Sequence, residues 1–150
     1  MQSIAFELET IIDRHLPGLE ALPENDMAHK PSPAKWSRKE IIGHLIDSAQ
    51  SNIRRFVVAQ YEDNPTIVYN QDKWVSIAGY QHREAKQLID LWYLLNKQIV
   101  EILKNTSSET GQRKCMTEEL HTIEWLALDY LKHLQHHLHQ VLGLEPIAYT

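Results

Sequence analysis

The chain has 150 residues, a formal net charge of −5 with its histidines neutral, one cysteine and nine histidines. That length suits one domain, 1–150, with a core built without disulfides, since the lone Cys115 cannot form an internal bridge. The acidic balance, with no basic run longer than Arg54-Arg55, disfavours phosphate backbones as partners, and no apolar run approaches the roughly 18 residues needed to span a bilayer. The acidic N-terminal segment lacks the basic start of a signal peptide, so a cytoplasmic protein is expected.

In chain order, Ile4, Leu8, Ile11, Ile12 and Leu16 recur at helical spacing, and Pro17-Gly18 is expected to stop this first helix. From Leu19 to Lys35 three prolines and single apolar residues predict an ordered loop that crosses the domain. Ser37 followed by Glu40 reads as a capping box opening a second helix, which runs to about Tyr61 with Ile41, Ile42, Leu45, Ile46, Ala49, Ile53, Phe56 and Val57 on its apolar face. His44 lies on the border of that face, roughly 60° from Ile41 and about 40° from Ser48 at about 100° per residue.

The connection from Glu62 to His82 is rich in aromatic and amide side chains, which suits either a functional loop or a plug at one end of the core. Leu88, Leu91, Trp92, Leu95, Ile99, Ile102 and Leu103 predict a third helix over about 83–104. Asn105 to Lys114 is small and polar, the composition of a mobile surface loop with little chemistry. Thr117 or Thr122 can cap the last helix, which ends at Gly143.

That last helix holds four histidines within seven residues. Its apolar stripe centres near Leu134; His133 and His137 fall within about 100° of it and lean inward, whereas His136 and His139, at roughly 140 to 160°, should face water. Two histidines four residues apart can chelate one ion, yet the same spacing also suits boundary residues capping a core stripe. Four helices with one apolar face each are what a four-helix bundle needs, and no stretch alternates long enough to argue for a sheet.

The segments Trp36-Ser37-x-x-Glu40-Ile41-x-Gly43-His44-Leu45-x-Asp47-Ser48 and Asp129-Tyr130-x-x-His133-x-x-x-His137-Leu138 resemble the two hallmark regions of the DinB/YfiT-like superfamily. The resemblance spans nearly the whole chain. It implies an all-α, antiparallel four-helix bundle of the DinB-like type, up-down-down-up and commonly a homodimer. It also implies a divalent metal ion, usually zinc or nickel, held by His44, His133 and His137, with no ligand role for His136 or His139. Three neutral imidazoles leave at least one coordination position open, and an ion without anionic ligands keeps its full charge for activating water or a thiol.

Members of the family are described as metal-dependent hydrolases, and some resemble thiol transferases. The expectation is therefore a metal-dependent enzyme acting on a small molecule, with transfer to a low-molecular-weight thiol preferred narrowly over hydrolysis. Cys115, beside the polar loop, reads as a bystander, and the metal would do the activation. Asp129 could accept an imidazole N–H, although a solvated acid near Lys132 is an equal alternative; Tyr130, Gln71, Asp72 and Trp74 are candidates for lining a substrate pocket. Two other readings compete: a non-catalytic, stress-associated metal-binding bundle, and a helical dimer whose inward histidines pair with carboxylates.

Overall fold

The computed structural model describes residues 1–149 and is built on four long helices. Helix α1 spans Gln2–Glu20, α3 Arg38–Val58, α5 Ala85–Lys104 and α6 Ile123–Leu142, with two short helices, α2 (Glu24–Ala28) and α4 (Gln71–Ala78), in the connections. Helix α5 packs between α1 and α3, and α6 closes the ring by packing on both. Helices adjacent in sequence thus sit diagonally in two cases: α1 opposite α3, and α5 opposite α6. The long connection after α1 makes the first of those crossings, as expected, but it is not all loop: Pro23 stands at the N-cap of the short helix α2, where its missing N–H costs no helical hydrogen bond.

The core follows the apolar stripes. Ile12, Leu45, Ile46, Phe56, Leu88, Trp92, Ile99, Leu134 and Leu138 are fully buried, and each such side chain contributes roughly 1.5–3 kcal/mol of transfer free energy. The second helix begins where its sequence predicts. Ser37 Oγ accepts the Glu40 amide at 3.2 Å and the Glu40 carboxylate accepts the Ser37 amide at 2.8 Å, which completes the capping box.

Three expectations differ from the structure. Pro17 does not stop α1; the helix continues to Glu20. A proline this near the C-terminal end forfeits only one hydrogen bond, and the extra turn buries Leu19 completely. The 62–82 connection is largely helical, with Asn70 Oδ1 capping α4 through the Lys73 amide at 2.9 Å. The polar stretch after α5 is also structured: a 3₁₀ turn leads into a two-stranded antiparallel hairpin, β1 (Lys114–Met116) and β2 (Leu120–Thr122). Strands of three residues are too short to register as alternation.

Of the two capping candidates for α6, Thr122 is used, its Oγ1 accepting the Trp125 amide at 3.0 Å. Gly143, at φ +67°, ends α6 in the left-handed region and turns the chain back along its own helix. The returning segment accepts the Nδ1–H of His136 on the Ile147 carbonyl at 2.6 Å and that of His139 on the Glu145 carbonyl at 2.7 Å. His136 and His139 are therefore half-buried, because a tail invisible to a helical wheel lies over them. Among the described residues, no helix is long and apolar enough to cross a membrane.

A candidate metal centre between two helices

The ring order places α3 beside α6, and this pairing brings His44 to His133 and His137. Their potential ligand atoms all lie within 4.8 Å of one another, and the Nε2 atoms of His44 and His133 are 2.9 Å apart. Two nitrogens bound to one ion at about 2.0–2.1 Å in tetrahedral geometry sit roughly 3.3 Å apart, so the observed pair is close to what a shared ion requires.

Neighbouring side chains hold each ring. Trp36 packs on His44 with ring centres 5.3 Å apart, and Tyr149 lies edge-on to His133 at 5.2 Å. His137 Nδ1–H donates to Gln140 Oε1 at 3.0 Å, which fixes the tautomer that leaves Nε2 free. Nδ1 of His44 and of His133 is buried without a partner among the described residues.

Burial governs the protonation of all three. Desolvation, with a smaller push from His137, pulls His44 down to about 4, and the same cause, joined by the charges of His137, His44 and His136, pulls His133 down to about 2. His137 is lowered too, first by burial and against the raising effect of Gln140. At neutral pH the triad is thus three neutral imidazoles, the form in which histidine binds a metal. Among the described residues none of them meets a carboxylate. Convergent nitrogens and neutral rings fit a cation-binding role.

His133 and His137 line a cleft of about 990 Å³ between α3, α6 and the loop that precedes α4, and His44 lies buried behind them. Ser48, Asn52 and Arg55 line it from α3, Tyr69 and Asn70 from the loop, Gln71 and Asp72 from the first turn of α4, and Asp129, Tyr130 and Tyr149 from the far side. Gln71 and Asp72 thus stand at the cleft, both exposed, and also border a second depression of about 740 Å³ beside Trp36. Trp74 does not line either space; it packs edge-on against Tyr69 at 5.5 Å and supports that ring from behind.

Asp129 does not reach an imidazole. Both its oxygens accept the Tyr149 hydroxyl, at 3.1 and 3.0 Å, so the returning tail supplies the partner that the sequence could not suggest. Tyr130 contributes its ring to the cleft floor, while its hydroxyl is committed to Asn96 Oδ1 at 2.7 Å. Cys115 is fully buried in β1 with its thiol pushed up by desolvation, so it is no accessible nucleophile. Trp36, Gln140 and Tyr149 went unassigned in the sequence reading. Gln140, three residues after His137, had a detectable signal; Tyr149 had none, because its place depends on the fold-back after Gly143.

The model of the DinB superfamily matches residues 7–141. A curated relative from Bacillus mycoides (strain KBAB4), named provisionally as a metal-dependent hydrolase, is 30% identical over 81 residues, which takes in 46% of this chain and 47% of the relative. The match therefore spans about half the length of that relative. YfiT from Bacillus subtilis, described as a probable metal-dependent hydrolase with an unusual four-helix bundle topology, superposes with a TM-score of 0.79 at 20% identity, over 95% of this chain and 87% of that one. A mutant form of the mycothiol-dependent maleylpyruvate isomerase superposes with a TM-score of 0.78 at 12% identity, over 96% of this chain and 61% of that one. The two superpositions show a shared fold, and the family match over residues 7–141 makes the chain a member of the DinB superfamily.

Proposed function

We propose that this protein is a metal-dependent enzyme acting on a small molecule, with His44, His133 and His137 holding a divalent ion, zinc or nickel, at the side of the cleft. The observation that carries the reading is the convergence of three neutral imidazoles, from two different helices, beside a space large enough for a substrate. A divalent ion bound there supplies Lewis acidity, lowering the pKa of a water or a small thiol that reaches it. The chain's own contribution is positional. Trp36, Tyr149 and Gln140 hold the three rings in place.

Hydrolysis and transfer to a low-molecular-weight thiol both suit this arrangement, because neither needs a protein nucleophile and the thiol of Cys115 is buried away from the cleft. The names of two relatives support the hydrolytic version. The name of the isomerase, which is thiol-dependent, supports the other. The same proposal includes a cytoplasmic homodimer, for which sedimentation equilibrium at micromolar protein should return twice the chain mass.

The test begins with metal analysis of untagged protein, which should give one divalent ion per chain. His44→Ala, His133→Ala and His137→Ala should each weaken metal binding on the order of a hundredfold or more, with helical content retained. Metal-loaded protein is then assayed on ester and amide panels, and on electrophiles with and without a small thiol. Turnover that requires metal but no thiol assigns hydrolysis, and turnover that requires both assigns transfer. Stoichiometric metal with no turnover on either panel would make this a metal-binding bundle, and protein that takes up no ion would remove the reading altogether.

A further inference from the structure

Helix α3 carries a second functional feature further along the face that bears His44. Arg55 follows eleven residues later, which at about 100° per residue returns it to within roughly 20° of His44 and sets it about 16 Å further along the helix axis. Ser48 and Asn52 lie between them, 4% and 6% exposed, so one polar stripe runs the length of the cleft wall.

Arg55 is half-buried and lines the cleft. Its Nε–H donates to the Ile67 carbonyl at 3.2 Å, one Nη1–H donates to Asn52 Oδ1 at 3.4 Å, and the guanidinium lies 5.9 Å from the centre of the Tyr69 ring. Neutral groups orient it, and none of them neutralises it. Among the described residues it makes no ion pair, and its second terminal nitrogen donates no hydrogen bond. Four carboxylates line the same cleft. Asp72, Glu118 and Glu119 are exposed, and Asp129 is occupied by the Tyr149 hydroxyl.

A guanidinium is always charged and presents a planar fork of donors, and leaving such a charge partly desolvated and unpaired is costly. Burial already draws its pKa below the ordinary value, against the weaker opposing influence of Tyr69, Cys115, the Asp129 carboxylate, which makes no ion pair with it, and Tyr149. An arriving anion would offset that cost with charge-assisted hydrogen bonds.

We propose that Arg55 is an anion-binding subsite, and that the small molecule processed at the histidine triad carries a carboxylate that seats on Arg55 while its reacting end lies at the triad. This deepens the metal-centre reading and rests on it for the position of the reacting end. The substrate is accordingly an extended acid, bound at one end by charge and presented at the other to the imidazoles. Arg55 binds and positions.

The experiment uses ω-mercaptoalkanoates from butanoate to dodecanoate, each paired with the ω-mercaptoalkanol of the same length. Binding to the full chain loaded with cobalt is followed through the thiolate-to-cobalt absorption. The acid should bind at least tenfold more tightly than the alcohol at one or two adjacent lengths. That advantage should vanish in Arg55→Gln and survive in part in Arg55→Lys, while metal affinity is unchanged in both. An acid that never outbinds its alcohol, or a preference that persists in Arg55→Gln, would overturn the proposal.

A second measurement separates this outcome from the fate of the metal centre and covers an Arg55→Gln variant that fails to fold. Metal-free wild-type protein is titrated with plain alkanoates and alkanols while the Arg55 Nε–H resonance is followed by NMR. The resonance should shift with the acids and stay in place with the alcohols. A protein that takes no cobalt yet shows this shift loses its metal centre and keeps its anion subsite. A resonance indifferent to the acids removes the subsite whatever the metal does.

Discussion

Asp47, one turn beyond His44, is a carboxyl with no exposure at all. Tyr80 donates its hydroxyl to Oδ1, and Oδ2 has no partner among the described residues. Burial pushes the acid up to about 6, against the lowering effect of that hydrogen bond. The folded state therefore holds the proton more tightly than the unfolded chain, in which an aspartate titrates near 3.9. Asp47 contributes its full stability below about pH 4, and the contribution is lost as pH rises through about 6. Asp47→Asn keeps an acceptor for Tyr80 and removes the charge. It should stabilise the protein at pH 7.5 by on the order of 1–3 kcal/mol and leave it unchanged near pH 4, measured as the difference from wild type in urea unfolding. Equal stability at pH 7.5 would show that the ionised carboxylate is compensated. At this scale the sequence was most informative where chemistry repeats on one helix, as at His133 and His137. It was least informative where a partner comes from elsewhere, as with Tyr149 for Asp129.

Helix α3 shows how element-level rules position the site. Its capping box sets where the helix begins, and therefore the rotation at which His44 meets α6. Ser37 Oγ also donates to Gln81 Oε1 at 2.5 Å, tying the cap to a 3₁₀ turn, Tyr80–His82, that precedes α5. Ser37→Ala should cost about 1 kcal/mol for the lost cap, and somewhat more because Gln81 loses its donor, read in thermal or urea unfolding. Gly43 has a different reason to be there. A Cβ at that position would sit 2.1 Å from the Tyr80 ring, so the residue is small because the ring packs flat against the helix backbone. Gly43→Ala should destabilise by roughly 1–3 kcal/mol. It should also weaken metal binding, since the ring can withdraw only by disturbing the helix beside His44; unchanged metal affinity would separate the packing from the site. The start of α3 was legible because capping is local. The hairpin, α4 and the continuation of α1 through Pro17 were not, because short or marginal elements are stabilised mainly by what they pack against.

Across the whole molecule, the bundle creates the candidate centre only by placing α3 next to α6. Binding there is linked to folding, since three ligands from two helices meet only in the folded chain. Zinc at about a hundredfold excess over its dissociation constant should add roughly 2.7 kcal/mol of stability. For a chain of this size that corresponds to a rise of roughly 5–10 °C in the thermal midpoint, reversed by chelator and absent in His44→Ala. A midpoint indifferent to every divalent ion would count against the centre.

The four amphipathic stripes, the capped start of α3 and the inward lean of His133 and His137 were determined by the sequence alone, because each depends on side chains within a few turns of one another. That α3 pairs with α6 was implied by the family resemblance and by no spacing, whereas the return of the tail across His136 and His139, and the cleft that Arg55 shares with His133 and His137, were decided only by the tertiary structure. Residues far apart in the chain meet there through packing, and no local periodicity encodes which apolar face will meet which.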